Sequence, residues 1–538
     1  MAMSEARIRT EDLSIDEVKE LYVETEMDRE NIEALKSFQP LLLIGSRGTG
    51  KTMLMRKAES ELTDEFEKER IIPIYTSFAT CPVYENTNML KLMVSKILIA
   101  LRTKLKEQGI IVNGSIFRPI VSEDINPVVK KLEDYINDVS GESFESESEY
   151  VIDDENIVNN IDYFRNFIKD LCDEFNIKKI IIMFDEACQI FAPKQQREFF
   201  DLFRALRSPI VICKAAVYPG LVSYGTFQQF HDATTKKIER AILATDYISK
   251  MREIVRKNYP DEYDKMIQNG DLLNTIIYCS NGNPRFLLKS LNTILEKSST
   301  IKTSVVNDVI KDFYRVTIWT EHTKLEERYK GHKKMIEWSR KFIENTVTKD
   351  IIKINTKDEN LNIKTTVYFA ISRKAPEVIK QAIKILEYSG VVTLDVEATK
   401  FRYDYYDRYQ LNFGIVLLSM AKTNLAIACK EIIDNISQKK FPNYGENSPV
   451  YEEAPNLVTV EEEIDQKLFL DNILNKRVDE LEISTRLLKR LNDAGFILIK
   501  DIFDRDENEL KKINYIGKVR SRQIYNNVMA AVIEYISG

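Results

Sequence analysis

The stretch "LLLIGSRGTGKTMLM", Leu41 to Met55, restricts what this chain can fold into more than any other part of it. Pro40 marks the entry to a short apolar strand, Leu41 to Ile44, and the run from about Lys51 to Glu61 reads as a helix. Between them lie Gly45, Gly48 and Gly50. Glycine supplies only 17 of 538 residues, so three of them within six positions ask for a reason. Gly45-Ser46-Arg47-Gly48-Thr49-Gly50-Lys51-Thr52 fits the spacing G-x-x-x-x-G-K-[ST]. Glycines let backbone N–H groups converge on phosphate oxygens without Cβ clashes, and Lys51 brings charge to the β- and γ-phosphates. The Thr52 hydroxyl is expected to ligate Mg²⁺, and the following helix aims its positive N-terminus at the same place. A chance glycine turn is the plainer alternative, and the strand before and helix after it argue against that.

A nucleoside triphosphatase also needs an acid at the end of a buried strand. "KKIIIMFDEA" supplies one, in a run too apolar for a half-exposed strand and suited to the middle of a parallel sheet. Asp185 is expected to hold the Mg²⁺ water shell, and Glu186 to polarise the attacking water. Two exposed acids capping a strand would look similar, but these follow five apolar residues in an αβ pattern. Further strands are expected at "IIPIYTSF" (71–78), "SPIVICKAAVYPG" and "KKIERAIL", with helices over 14–37, 87–106, 157–175 and "QQREFFDLFRAL". Strands alternating with helices predict an α/β parallel-sheet core over residues 1–246. A helical segment follows over 247–330, then mixed helical and β-rich sequence over 331–425. A stretch over 426–470 ends in an acidic, proline-containing linker (436–464), and a helical tail fills 471–538. About three or four domains suit a chain of this length.

Bulk properties narrow the function classes. No apolar run approaches the ~20 residues needed to cross a bilayer, and "MAMSEARIRTEDLS" lacks a signal-peptide core, so no membrane partner is expected. Six scattered cysteines without a C-x-x-C, beside three histidines, argue against a zinc site and suit a reducing, cytoplasmic setting. A net charge of −7 gives no global signal for nucleic acid. Any DNA contact must sit in local patches such as "RLLKRLNDAGF" and "IGKVRSRQIY" near the C-terminus. The acidic tract "GESFESESEYVIDDENI" (141–157) is expected to be a solvated loop. No nuclease, protease or nucleotide-cyclase constellation is visible.

The loop, the "FDEA" pair and the later "CSNGNPRFLLKSLN" together resemble AAA+ ATPases of the origin-recognition-complex type and their STAND relatives, over roughly residues 14–425. The resemblance implies a P-loop (ASCE/AAA+) parallel-sheet core with a helical lid, binding and hydrolysing ATP with Mg²⁺. The lid would carry a sensor-2 arginine, here Arg285, beside the γ-phosphate. The pattern also implies a polar sensor-1 residue, commonly Asn, Ser or Thr, at the end of "VICKAAVYPG"; Tyr218 is the nearest polar side chain there, a departure that bears on the hydrolysis rate. Arg240, Arg204 and Arg207 are candidates for an arginine finger that completes a neighbouring subunit's site, which implies a homo-oligomer.

Such ATPases are followed by a winged-helix domain. "APEVIKQAIKILEYSGVVTL" and "EATKFRYDYYDRYQLNF" match its helix and hairpin wing, with Lys380, Gln381 and Lys384 off the apolar stripe and open to a groove. The tail "LEISTRLLKRLNDAGFILIKDIFDRDENELKKINYIGKVRSRQIYNNV" resembles the C-terminal domain of the RNA polymerase α subunit, a small all-α module of helix–hairpin–helix units. That likeness implies DNA-backbone contacts from Arg486 and from Gly517, Lys518, Arg520 and Ser521 of the hairpin. Both modules also serve protein contacts in other settings. The expected function is that of an ATP-binding and ATP-hydrolysing origin-recognition-type protein whose nucleotide state regulates binding to double-stranded DNA or assembly. The alternatives are a STAND-like signalling switch, for example in defence against mobile elements, acting through a partner effector protein, and an ATP-dependent transcription regulator.

Overall fold

The computed structural model describes residues 13–79, 87–110, 159–187, 193–220, 222–298, 300–356, 364–401, 404–420, 422–457, 473–481, 483–505 and 507–536. The acidic tract lies outside the described residues. The chain divides into two compact units, Met1–Ile301 and Lys302–Gly538. Helices from Thr303 onward therefore group with the second unit, upstream of the limit at residue 330 expected for the lid.

The first unit is built on five parallel strands in the order β2–β3–β4–β1–β5: β1 Leu41–Ile44, β2 Ile71–Ser77, β3 Lys179–Asp185, β4 Val211–Val217 and β5 Thr234–Lys237. This is the P-loop, AAA+-type layout anticipated from the sequence. β3 sits inside the sheet between β2 and β4, and every residue from Ile180 to Asp185 is buried, as its unbroken apolar run requires. The register aligns Ser77 with Asp185 and Ile44 with Val217, so the strand ends that carry the chemistry share one edge. Ligands bind outside the carboxyl ends of the strands in open α/β sheets. Helices α3 (Lys51–Asp64), α4 (Met89–Glu107), α5 (Ile161–Glu174) and α6 (Pro193–Leu206) connect the strands.

Two local expectations need correction. The helix anticipated over 14–37 is two helices, α1 (Ile15–Leu21) and α2 (Glu26–Lys36). Each opens on its own capping box, Ser14 with Glu17 and Thr25 with Asp28, so each start is fixed independently and the chain breaks between them. The fifth strand begins at Thr234 and ends at Lys237, before "IERAIL". Beyond it come α7 (Tyr247–Asn258), α8 (Gly270–Cys279) and α9 (Pro284–Lys297), the helical lid of this unit. Asn283 caps α9 by accepting from the Phe286 N–H, and Pro284 stands at the first turn, where its missing N–H costs nothing.

In the second unit, helices α10 (Thr303–Asp312), α11 (Lys333–Phe342) and α12 (Thr348–Asn355) lead to a four-stranded sheet. Its strands are β6 Tyr368–Ser372, β7 Val392–Phe401, β8 Asp404–Leu411 and β9 Asn443–Tyr444, in the order β7–β8–β6–β9. Helix α13 (Glu377–Tyr388) precedes the antiparallel β7–β8 hairpin, so a helix and a hairpin stand at the positions expected for them. The tail has a small core of its own around Leu491, Ile499, Ile502, Leu510, Ile524 and Val528. Four helices, α14 (Thr485–Asp493), α15 (Ile499–Phe503), α16 (Glu507–Lys511) and α17 (Lys518–Ile536), enclose it. Among the described residues, no helix is long and apolar enough to cross a membrane.

Candidate functional site

The glycine loop joins β1 to α3. Gly48 (φ +86°) and Gly50 (φ +104°) adopt left-handed backbone that side chains disfavour. Gly48 serves a second purpose: a Cβ there would lie 2.6 Å from Asn283 Oδ1 and 2.7 Å from Arg285 Cβ, so only glycine lets the lid close on the loop. Asn283 fastens that contact by donating from Nδ2 to the Arg47 carbonyl at 2.7 Å. Arg285 lies beside it, with its N–H 3.5 Å from the Gly48 carbonyl oxygen. Asn283 is not among the site residues expected from the sequence, where "GNPRFLL" points only to its arginine.

Lys51 is buried, 4 % exposed, and its ammonium donates to the carbonyls of Gly45 (2.6 Å) and Ser46 (3.0 Å). It also sits 3.9 Å from the centre of the Tyr218 ring, a cation–π contact. The Thr52 hydroxyl donates to Asp185 Oδ2 at 2.6 Å. The same carboxylate accepts from the Tyr75 hydroxyl (2.9 Å) and, at Oδ1, from the Glu186 N–H (2.9 Å). Glu186 itself has φ +62°, unusual for a residue with a side chain, and accepts from the Tyr218 hydroxyl at 3.0 Å. Burial and the Glu186 and Asp185 charges push the Tyr218 phenol far above its ordinary range, so it stays protonated and donates.

One cavity of the first unit gathers these groups. It is lined by Gly48, Gly50, Lys51, Thr52, Glu186, Tyr218, Arg240 and Arg285, and also by the apolar Leu13, Leu21, Tyr22, Val23, Ile254 and Leu288. Its volume, open mouth included, is about 890 Å³, within the range of small-molecule sites. Cationic and glycine lining together with apolar lining suits a molecule that carries both a polyphosphate and a flat apolar ring. Thr52 and Asp185 already touch, so a hydroxyl and a carboxylate are together where a phosphate-borne Mg²⁺ would need them. Such an ion takes few protein ligands and completes its shell with phosphate and water oxygens. Ser46 and Thr49 form the loop's turn, with the Thr49 hydroxyl donating to the Ser46 carbonyl at 2.9 Å, and Arg47 is exposed at its crest.

Of the three arginine-finger candidates, Arg240 is turned inward, while Arg204 and Arg207 are exposed. Arg240 lines its own subunit's cavity, donating to the Thr49 carbonyl at 2.8 Å and pairing with buried Asp28 at 3.2 Å. Both arms of its guanidinium are thus held within its own site. Arg204 bonds to Asp201 and Thr226, and Arg207 offers its carbonyl to Arg165.

The DNA-contact candidates are sorted by exposure. Arg486, Gly517, Lys518 and Arg520 are exposed, and Arg520 donates to the Tyr515 carbonyl at 2.7 Å. Ser521 is 0 % exposed: its N–H goes to the Gly517 carbonyl and its hydroxyl to Glu507 and the Lys518 carbonyl, so it fixes the helix start and does not face solvent. The left-handed position of this turn is not at Gly517. Tyr515 takes the left-handed conformation (φ +67°), and a Cβ on Gly517 would meet nothing within 4 Å. On α13, Lys384 is exposed, whereas Lys380 is paired with Glu377 at 2.5 Å, and α13 packs against α17 of the tail. Arg522, one of the tail's cations, is taken up by Glu446 and Glu507.

Sheet order and loop together define a P-loop protein of the AAA+ type. Residues 6–92 match the family described as ORC-CDC6-like, and residues 465–528 match the C-terminal domain of the bacterial RNA polymerase alpha chain. Both ends of the chain thus carry the likenesses read from their motifs. No curated protein matches the chain. Among solved structures, the Aeropyrum pernix ORC1 protein in complex with DNA is similar at 13% identity and a TM-score of 0.31, over 77% of this chain and 94% of that one. The ADP form of Aeropyrum pernix ORC2 gives 9% identity and 0.31, over 76% and 91%. Domain III of the Thermotoga maritima replication initiation protein DnaA gives 15% and 0.30, over 56% and 98%. TM-scores this low leave the fold to be judged from sheet order and loop geometry.

Proposed function

We propose that the chain binds ATP with Mg²⁺ in the first unit's cavity, hydrolyses it slowly, and uses its nucleotide state to regulate contact with double-stranded DNA through the second unit. The observation that carries this reading is convergence: Lys51, Thr52, Asp185, Glu186 and Arg285, from three separate segments, come together at the carboxyl end of the sheet. The roles follow from chemistry. Lys51 holds the β- and γ-phosphates, Thr52 and Asp185 hold the ion, Glu186 orients and deprotonates water, and Arg285 brings lid charge to the γ-phosphate. DNA contact is assigned to Arg486, Lys518 and Arg520 on the tail, with Lys384 of the winged-helix-like region as an additional contact.

A second reading has its own support. Tyr515 and Val519 are 63 % and 81 % exposed within the same hairpin as Lys518 and Arg520. An apolar tip among cations suits a protein partner as well as a phosphate backbone, which favours a signalling switch acting through an effector. Measuring the ATPase rate with and without duplex DNA separates the two. Stimulation or inhibition by DNA supports the first reading, and a rate indifferent to DNA, with no DNA binding by titration, favours the second.

A further inference from the structure

We propose that Tyr218 is the positioning residue that links occupancy of Lys51 to the placement of Glu186. It rests on the nucleotide-site reading above. Tyr218 follows β4 directly, and its two ends touch two different parts of the machinery. The ring face carries the Lys51 ammonium at 3.9 Å, and the hydroxyl donates to Glu186 Oε1 at 3.0 Å. Few side chains could do both: a short polar residue at this position has no ring to receive a cation, and phenylalanine has no hydroxyl to reach the carboxylate.

Lys51 is occupied in this arrangement by the Gly45 and Ser46 carbonyls as well as by the ring. An ammonium has three protons and one charge, so taking up a polyphosphate must loosen some of these contacts. The ring face is the weakest of them and the first expected to be given up. Glu186, meanwhile, is held in left-handed backbone, a conformation that is strained for a residue with a side chain and persists only where the surroundings fix it. The Tyr218 hydroxyl, bonded to Glu186 Oε1, is one of the groups that fix it. Tyrosine turns about only two side-chain bonds, so displacement at the ring is felt at the hydroxyl. The departure of this position from a small polar residue thus has a function.

Two variants of the full chain separate the ends. Tyr218→Phe keeps the ring and removes the hydroxyl: Mg-ATP affinity, read by fluorescent-nucleotide titration, should stay within about twofold of the parent, while turnover at saturating ATP should fall by about tenfold. Tyr218→Leu also removes the ring, so unliganded Lys51 loses a partner and Mg-ATP should bind about threefold or more tightly. A tyrosine that merely filled space would show the opposite pattern, with Tyr218→Phe neutral and Tyr218→Leu binding more weakly. Unchanged or raised turnover in Tyr218→Phe overturns the assignment, as does weaker binding in Tyr218→Leu. If Tyr218→Leu does not fold, Tyr218→Phe decides alone; if turnover is too slow to follow, the affinity of Tyr218→Leu decides. A parent that fails to bind Mg-ATP would instead refute the nucleotide site itself.

Discussion

The glycine turn before α3 and the one before α17 each lead into a helix, and they are built on opposite terms. In the first, Gly48 and Gly50 are both left-handed, and Gly48 leaves room for Asn283 and Arg285 of the lid. In the second, Gly517 has open space around it and the left-handed position falls to Tyr515. A turn that must enclose a ligand is constrained from every side. A turn that meets its ligand on an open surface is constrained on one. The same contrast runs through the charges: Lys51, Asp185 and Glu186 are buried and each hydrogen-bonded to neighbouring groups, whereas Lys518 and Arg520 stand in solvent.

Breaking the enclosed site should give the largest effects. Glu186→Gln is expected to retain Mg-ATP and lose turnover by about 10²–10⁴-fold, as the water loses its base. Persistent turnover in a single-cycle assay would reduce Glu186 to a strand cap.

The two units should also separate in acid. His322 and His332, both in the second unit, are buried, and burial pushes each imidazole down to about 4. The unfolded chain binds these protons from about pH 6.5 downward, while the folded chain resists them until about pH 4. Stability is therefore undiminished above pH 6.5 and falls through that window, by about 2 kcal/mol for each histidine at pH 5. Both tryptophans, Trp319 and Trp338, lie in this unit, so tryptophan fluorescence during unfolding reports on it selectively. A transition midpoint that does not move between pH 7 and pH 5 would contradict this.

The glycine comparison is sharpened by one substitution on each side. Gly48→Ala should lower Mg-ATP affinity by about tenfold, since a Cβ strains the loop and pushes on Asn283 and Arg285. Gly517→Ala should leave both stability and DNA affinity within about twofold. Equal effects at the two positions would remove the distinction drawn here.

Smallest and most graded is the surface. Lys518→Glu with Arg520→Glu should weaken duplex binding alike for all sequences and flatten the log–log salt dependence by roughly two. Lys384→Glu should be milder and, if α13 enters a groove, uneven across a panel of duplexes. Parent-like binding by the double variant at every salt concentration would make the tail a protein-docking module.

Legibility in the sequence followed the same division. Loop, acid pair, buried β3 and lid arginine were readable because a buried site fixes residue type and spacing together. Three things were hidden for want of such spacing. Asn283 acts through a carbonyl far away in sequence, Arg240 is turned inward by Asp28, and Tyr218 works through contacts at both ends of its side chain. The tail was readable as a family likeness and a cluster of cations, but composition could not show that Ser521 is buried or that Arg522 is held by Glu446 and Glu507. Nor could it show that α13 lies against α17.

The central claim, that the glycine loop of the first unit holds the polyphosphate of ATP, is tested most directly by titrating Mg-ATP into the parent and into Lys51→Ala. Removing the buried ammonium takes away the charge that meets the β- and γ-phosphates. Saturable binding in the parent and none in Lys51→Ala is the expected result, with both chains equally folded by circular dichroism. Equal affinity in the two would contradict it.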